Sequence, residues 1–274
     1  MDASTLRAML RARASMLTEV RRFFALRDVT EVHTPVLASG TITDPDIAAI
    51  AVPGHGFLQT SPEYFLKRLL AAGMSDCYQL GPVFRADERG RLHDREFTLL
   101  EWYRLGYDHH QLMAEVAELV DAVMGPAPVR HTRYATLVDD VAAPREVLDL
   151  AFAQACEALS GRVFVTDYPA DQAALARLVE PESRWASRFE LVIDGVEIAN
   201  GYWELLDPQE HRRRFEDDRK ARVQRGLPDV AVDEAFLAAL EQGLPACAGV
   251  ALGIDRLFML AQGKSSLDAV LPFR

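Results

Sequence analysis

An aspartate–glycine pair, Asp194-Gly195, separates two alternating runs in RFELVIDGVEIANGYWE, residues 188–204. Such a pair makes a two-residue type I′ turn, because both positions need positive φ and these residues tolerate it. The turn fixes the register: Ile193 faces Val196, Val192 faces Glu197, and Leu191 faces Ile198. Leu191, Ile193, Val196 and Ile198 then form an apolar face, and Glu190, Val192, Glu197 and Ala199 the opposite one. Glu190 and Glu197 become diagonal neighbours about 7 Å apart or less. Two carboxylates on one sheet face repel unless solvent or a cation separates them, and a hard divalent cation with phosphate ligands suits the pair. Taken alone, the segment fits a solvated polar face equally well.

The rest of the chain supplies helices and more strands. Apolar residues at helical spacing predict helices over 4–27, 61–72, 109–124, 144–159, 209–225, 233–241 and 254–261. Extended segments are expected at 30–37, 78–85, 96–105, 162–168 and 246–252. Hairpin-linked strands with helices outside indicate an α+β fold, an antiparallel sheet flanked by helices.

Two further segments carry chemistry. In YQLGPVFRADERGRLHDREFTLLEWYR, residues 78–104, a two-residue period puts Phe97, Leu99, Glu101 and Tyr103 on one face. That mixture is unusual for a core. The intervening loop holds Arg85, Arg89, Arg91, His93 and Arg95; guanidinium groups bind phosphate oxygens in pairs, and an aromatic beside them can stack on a base. In ACAGVALGIDRLFML, residues 246–260, Gly249 and Gly253 flank a strand that runs into a helix. Glycine permits close approach of a ligand to backbone, and Arg256 lies in the first helical turn, where the helix dipole also favours anions. A charged surface hairpin and a tight strand–helix junction are the bland readings of these two segments.

Bulk properties exclude other classes. The net charge is −11, which argues against a protein that coats nucleic acid, since such affinity comes from Lys and Arg neutralising phosphates. Three widely spaced cysteines, Cys77, Cys156 and Cys247, contain no C-x-x-C pair, so a zinc or disulfide framework is not expected and a reducing cytoplasm fits best. No apolar run approaches the ~20 residues of a membrane span, and no membrane partner is expected. The arginines near Met1 resemble a transit peptide superficially, but Leu6, Met9, Leu10, Leu17, Val20, Phe23 and Phe24 keep helical spacing.

Together these segments resemble motifs 2 and 3 of class II aminoacyl-tRNA synthetases of the lysyl type. TEVHTPVL, with Pro35, resembles motif 1, which in the family lies at a dimer interface. The resemblance spans nearly the whole chain, including FLQTSPEYFLKRLL and VFVTDYPA. It implies one catalytic domain over 1–274, with motif 1 at about 17–37, motif 2 at 78–104 and motif 3 at 246–262. Within the group the chain is most similar to the elongation factor P (R)-β-lysine ligase family. The motif 1 helix begins almost at Met1, leaving no sequence for the N-terminal OB-fold that grips the anticodon in lysyl-tRNA synthetases. Ala251 in GVALGIDR stands where those synthetases usually carry glycine, a position linked in the family to accepting β-lysine.

The resemblance implies roles. Arg85 would hold the α-phosphate and the reacting carboxylate. Phe97 would stack on adenine. Ala86, Asp87, His93, Asp94, Ile198 and Gly253 would lie along the nucleotide, with Arg256 on the γ-phosphate. Glu190 and Glu197 match Mg²⁺-binding glutamates, Glu197 also touching ATP. Ser61, Pro62 and Glu63 match an amino-acid-binding segment, and Glu101, Tyr103, Asn200, Glu204 and Ala251 line the lysine pocket, with Trp203 close by. Asp87 replaces the usual glutamate and is one methylene shorter. Asp94 replaces the usual asparagine, adding negative charge near phosphate. A regular strand would put Asn200 and Glu204 on the face opposite Glu197, so a bulge is required, and Gly201 is the expected place.

The implied activity is activation of lysine or (R)-β-lysine by ATP and Mg²⁺, then transfer to a lysine of elongation factor P, by a cytoplasmic homodimer. The alternatives are a truncated lysyl-tRNA synthetase, disfavoured by the net charge, and a non-catalytic paralogue, disfavoured by the presence of Arg85, Phe97, Glu190, Glu197 and Arg256.

Overall fold

The computed structural model describes residues 2–86 and 89–274. The chain begins with helix α1 (Ala3–Ala25), then short strands β1 (Thr30–Glu31), β2 (Leu37–Ala38), β3 (Ala51–Val52) and β4 (Gly56–Leu58), and helix α2 (Glu63–Ala71). Strands β5 (Cys77–Phe84) and β6 (Glu96–Leu105) precede helix α3 (His109–Met124), strand β7 (Val129–Arg133), helices α4 (Tyr134–Leu137) and α5 (Arg145–Glu157), and strand β8 (Arg162–Pro169). Strands β9 (Trp185–Ile193) and β10 (Val196–Trp203), helices α6 (Pro208–Gln224) and α7 (Glu234–Gly243), strand β11 (Cys247–Gly253) and helix α8 (Ile254–Ala261) complete the order.

Eight strands form one sheet in the order β1-β5-β6-β11-β10-β9-β8-β7. The β1–β5 and β7–β8 pairs at its edges are parallel and the interior pairs antiparallel. The α+β expectation therefore holds, with parallel edges that local patterning did not reveal. The strand β7 and the small sheet β2-β4-β3 were likewise not predicted, because segments of two to five residues carry little periodicity.

The core is on one sheet face. Leu100, Trp102, Val250, Leu252, Leu191, Ile193, Val196 and Ile198 pack there against Val20, Phe24, Leu112, Val116, Leu257 and Phe258 from α1, α3 and α8. The apolar face expected of the hairpin is thus buried. Asp194 and Gly195 have φ of 47° and 78°, as a type I′ turn requires. A buried Asp255 ties three elements together: its carboxylate pairs with Arg13 of α1 at 2.6 Å and accepts the Thr98 N–H of β6 at 2.7 Å.

The hairpin departs from simple register in one place. Val196 faces Ile193 and Glu197 faces Val192, but Leu191 then faces Ala199 instead of Ile198. The extra residue is a β-bulge between Glu197 and Ala199. Ala199 consequently joins the core, a correction to its expected polar face. The expected bulge at Gly201 is also corrected: the strand is regular there, with Gly201 opposite Phe189 and Val250. Glycine serves a different purpose at 201, since a Cβ would come within 2.4 Å of the Phe189 ring. The earlier bulge still achieves what was required. It returns Asn200, Tyr202 and Glu204 to the face of Glu197.

Candidate active site

The face opposite the main core carries two rows of side chains across the central strands. Gln79, Glu101, Ala251, Asn200 and Glu190 are successive partners across β5, β6, β11, β10 and β9. One step along, Cys77, Tyr103, Gly249, Tyr202 and Arg188 form the second row. Helices α2, α6 and α7 cover part of this face through a second apolar cluster that includes Tyr64, Phe215, Phe236 and Leu240. Between them lies a cavity of about 510 Å³, within the usual range for a small-molecule site. Ser61, Glu63, Arg85, Glu101, Tyr103, Asn200, Glu204 and Ala251 all line it, so eight residues singled out from the sequence converge.

The polar groups in this cavity are buried or half-buried, and several are mutually bonded. Glu101 accepts hydrogen bonds from Ser61 Oγ at 2.6 Å and from Tyr103 Oη at 2.9 Å. Burial first, and then the nearby Glu63, push its carboxyl up to about 7. Glu204 is 1% exposed. Its Oε2 ion-pairs with Lys67 Nζ at 2.6 Å, and Lys67 also donates to Glu63 Oε1 at 2.6 Å. Burial raises the Glu204 carboxyl to about 8, against the pull of Lys67. Its Oε1 has no hydrogen-bond partner among the described residues, and a Cβ on Gly249 would lie 2.5 Å from it. A buried carboxylate oxygen with open coordination asks for a cationic donor from a ligand.

Beside the cavity lies a more exposed stretch of the same sheet face, the side that the resemblance assigns to the nucleotide. Of the Glu197 side chain, 47% meets solvent. Burial pushes its carboxyl up, but Arg256, Arg85 and Arg188 together hold it below the usual value. Arg256 donates to the Glu197 carbonyl at 3.0 Å, to its carboxylate at 3.3 Å and to the Leu92 carbonyl at 3.0 Å. It sits in the first turn of α8, whose N-cap is Gly253. The Arg85 guanidinium lies 5.0 Å from the centre of the Phe97 ring and donates to the Thr60 carbonyl at 3.4 Å. Phe97, Glu101 and Tyr103 share a face, as their unbroken pairing with β5 requires.

Glu190 and Glu197 do lie on one face as diagonal neighbours across β9 and β10. Burial first and Glu197 second raise the Glu190 carboxyl. Glu190 is not bare, however: Arg188 Nη2 holds it at 2.6 Å. Arg188 also donates to the Asn200 side chain at 3.2 Å and to the Gln172 carbonyl at 2.8 Å, with its guanidinium 4.4 Å from the Tyr168 ring centre. Among the described residues no group of three or more His, Cys, Asp or Glu side chains is placed to hold a metal by itself. Two carboxylates beside a phosphate-bearing substrate still match the way Mg²⁺ is usually held.

Several expected contacts differ. Pro62 does not line the cavity; it is the N-cap of α2 and sets the direction of Glu63. The Ile198 side chain is in the core, on the face away from Glu197. The Ala86 N–H is engaged by the Ala48 carbonyl at 2.7 Å. Trp203 points away from the pocket, beneath Arg177 at 4.3 Å and 6.1 Å from the His109 ring. His93 is exposed in the loop before β6 and pairs through its backbone with Gly90. Asp94 is bonded to Arg274 at 3.0 Å. Asp87 lies outside the described residues.

Sequence reasoning missed Lys67, Arg188 and Tyr202. Arg188 carried a signal, since it precedes Glu190 by two in an alternating strand. Lys67 carried one only in retrospect: it follows Glu63 by one helical turn.

Compared with known families, the chain matches the class II tRNA synthetases (D, K and N) over residues 1–274. It is 42% identical to an elongation factor P–(R)-β-lysine ligase of Vibrio cholerae, covering 96% of this chain and 94% of the relative. The enzyme of the same name from Vibrio vulnificus is 41% identical over the same shares. That from Salmonella paratyphi A is 41% identical, over 95% of this chain and 93% of the relative. The chain belongs to the class II tRNA synthetase family and, within it, to the family of the elongation factor P–(R)-β-lysine ligases.

Proposed function

We propose that the chain is an ATP-dependent ligase that activates (R)-β-lysine or lysine as an aminoacyl-adenylate and passes the acyl group to a lysine side chain of elongation factor P. The observation that carries this reading is the cavity in which Glu63, Glu101 and Glu204 converge beside Arg85. Acids suit the two ammonium groups of a diamino acid, and the guanidinium suits its carboxylate.

In the first step the substrate carboxylate attacks the α-phosphorus of ATP, and the bond to the β-phosphate oxygen breaks to release pyrophosphate. Both reactants are anionic, so catalysis consists mainly of alignment and charge neutralisation. Arg85 lies at the junction of cavity and exposed stretch to hold carboxylate and α-phosphate together. Phe97 stacks on the adenine ring, and Arg256 meets the terminal phosphate. Gly253, Ala86, His93 and Asp94 border the nucleotide. Glu197, with its accessible carboxylate, and Glu190 would hold Mg²⁺, which when bound neutralises phosphate charge. In the second step the acceptor amine attacks the mixed anhydride, an amide forms, AMP leaves, and the amine's surplus proton passes to solvent. No protein nucleophile takes part. Glu204 Oε1 receives the distal ammonium; Ser61, Tyr103, Asn200 and Ala251 complete the amino-acid pocket.

The same reading includes a cytoplasmic homodimer joined through the motif 1 region. Unpaired Cys77, Cys156 and Cys247 suit a reducing compartment. Leu10, Leu26, Val36 and Leu37 are exposed apolar residues in and after α1, as a covered interface would explain. Sedimentation giving a monomer at micromolar concentration would remove this part.

The central test is pyrophosphate exchange by the purified chain with α-lysine and with (R)-β-lysine, followed by transfer with elongation factor P and tRNA offered side by side. Exchange with either amino acid and label on elongation factor P is the expected result. No exchange with either overturns the reading, and label on tRNA alone replaces the acceptor.

A further inference from the structure

Only three of the 30 basic side chains are lysines: Lys67, Lys220 and Lys264. One of these three, Lys67, is entirely buried. It does not line the cavity. It stands behind Glu63 and Glu204, which separate it from the substrate space, and touches one oxygen of each at 2.6 Å. Its ammonium also lies 5.9 Å from the Tyr103 ring centre. In a chain that uses arginine for nearly all its cations, lysine at this point has a physical reason. A compact ammonium fits between two carboxylate oxygens, whereas a planar guanidinium needs a wider slot.

The charge count of the cluster is informative. Glu63, Glu101 and Glu204 supply three carboxylates and Lys67 one ammonium. Tyr103 is held neutral, its hydroxyl pushed well up by burial and by Glu101. His211 of α6, also near Lys67, is held neutral, since burial and the ammonium lower it to about 3. Cys247 of β11 is likewise kept as a thiol by burial and by Glu204. With all three acids ionised this cluster, at one end of a cavity that also has Arg85 on its wall, carries two negative charges. We propose that Lys67 is an internal counter-ion and positioning residue: it holds Glu204 and Glu63 by one oxygen each, so that the pocket presents the net charge and the open Glu204 Oε1 that a substrate with two ammonium groups requires. This rests on the ligase reading for its substrate and on the geometry alone for the pairing.

Without Lys67, the buried Glu101 and Glu204 and the half-buried Glu63 would face each other without their shared ammonium. The Glu204 carboxyl, already raised to about 8, would be pushed further up and would hold its proton to higher pH, weakening its attraction for an ammonium. The pocket would regain its charge only at higher pH. The nucleotide side should be little affected, because Arg256 bonds to Glu197 and Leu92, and Phe97 lies against Arg85, away from Lys67.

The test combines two measurements. In pyrophosphate exchange, Lys67→Met and the milder Lys67→Gln should raise KM for the diamino acid on the order of 100-fold at neutral pH, leave KM for ATP within about twofold, and recover part of the loss as pH rises toward 9. A residue that merely supports the fold would lower kcat or raise both KM values together with no such pH dependence, and that outcome overturns the proposal. Independently of any activity, wild-type protein carrying ¹³C at the lysine ε-methylenes should show three resonances, assigned by replacing Lys220 and Lys264 with arginine. The Lys67 resonance should remain that of an ammonium beyond the pH at which an ordinary lysine titrates, since its two carboxylates outweigh burial and raise it. Titration of Lys67 at or below the ordinary lysine value overturns the proposal even where neither variant folds. Absence of exchange by the wild type with any diamino acid would instead sink the ligase reading, and the resonance would still judge the pairing.

Discussion

Arg274 Nε stands 3.0 Å from Asp94 Oδ2, and the same guanidinium donates to the His93 carbonyl at 2.6 Å and pairs with Asp268 at 3.1 Å. The family resemblance implies that Asp94 adds a negative charge near phosphate, where an asparagine is usual. That charge is paired with a cation from a segment 180 residues away in sequence. Charge-assisted hydrogen bonds of this kind fix a loop as well as neutralise it. Arg274→Ala should raise KM for ATP by roughly 5- to 10-fold, the equivalent of about 1 kcal/mol, with KM for the amino acid little changed. Adding Asp94→Asn to that variant should restore much of the loss. Steady-state pyrophosphate exchange with each substrate varied in turn gives the answer, and an unimproved double variant would show that Asp94's charge is not what Arg274 offsets.

Glu204→Gln should abolish activation of lysine and (R)-β-lysine, by about 100-fold or more in kcat/KM. The fold should survive, because the amide keeps the shape and Lys67 retains Glu63 at 2.6 Å. Exchange kinetics and a circular-dichroism melt of the same preparation are sufficient. Undiminished exchange would refute the assigned role.

The pocket acids also set a pH dependence. Burial raises Glu101 to about 7 and Glu204 to about 8, far above their unfolded values near 4.5. Their protonated forms therefore favour the folded state, and this contribution is full below about pH 4.5 and is lost as pH rises through 7 to 8. For the empty protein, the melting temperature should fall between pH 6 and 8.5, and Glu101→Gln or Glu204→Gln should flatten that slope. Amino-acid affinity should run the other way. It should strengthen over the same interval, as the acids ionise to meet ammonium groups, with proton release on binding visible in calorimetry in buffers of different ionisation enthalpy.

Two glycines on neighbouring strands should fail differently. A Cβ at Gly249 would come within 2.3 Å of the Tyr103 ring and 2.5 Å of Glu204 Oε1, on the cleft side. Gly249→Ala should therefore cut amino-acid binding by at least tenfold while ATP binding persists. A Cβ at Gly201 would instead strike Phe189 at 2.4 Å and the Val250 side chain at 2.9 Å, on the core side. Gly201→Ala should cost about 1–3 kcal/mol of stability, measured by urea unfolding, and affect both substrates together.

What the sequence determined by itself was local. The Asp194-Gly195 turn announced its hairpin, the alternation through Phe97, Glu101 and Tyr103 announced a polar sheet face, and α3 and α8 run over the residues their periodicity and caps indicated. These features depend on neighbours within a few positions, where backbone geometry leaves few choices. Tertiary structure decided the rest. The bulge falls after Glu197 and not at Gly201, because Phe189 from the adjoining strand fills the space over Gly201 and core packing pulls in Ala199. Lys67 meets Glu204, and Arg274 meets Asp94, across separations that no local period encodes. Charge pairing inside a fold depends on which segments are brought together and dried, and only the packed sheet and its covering helices specify that.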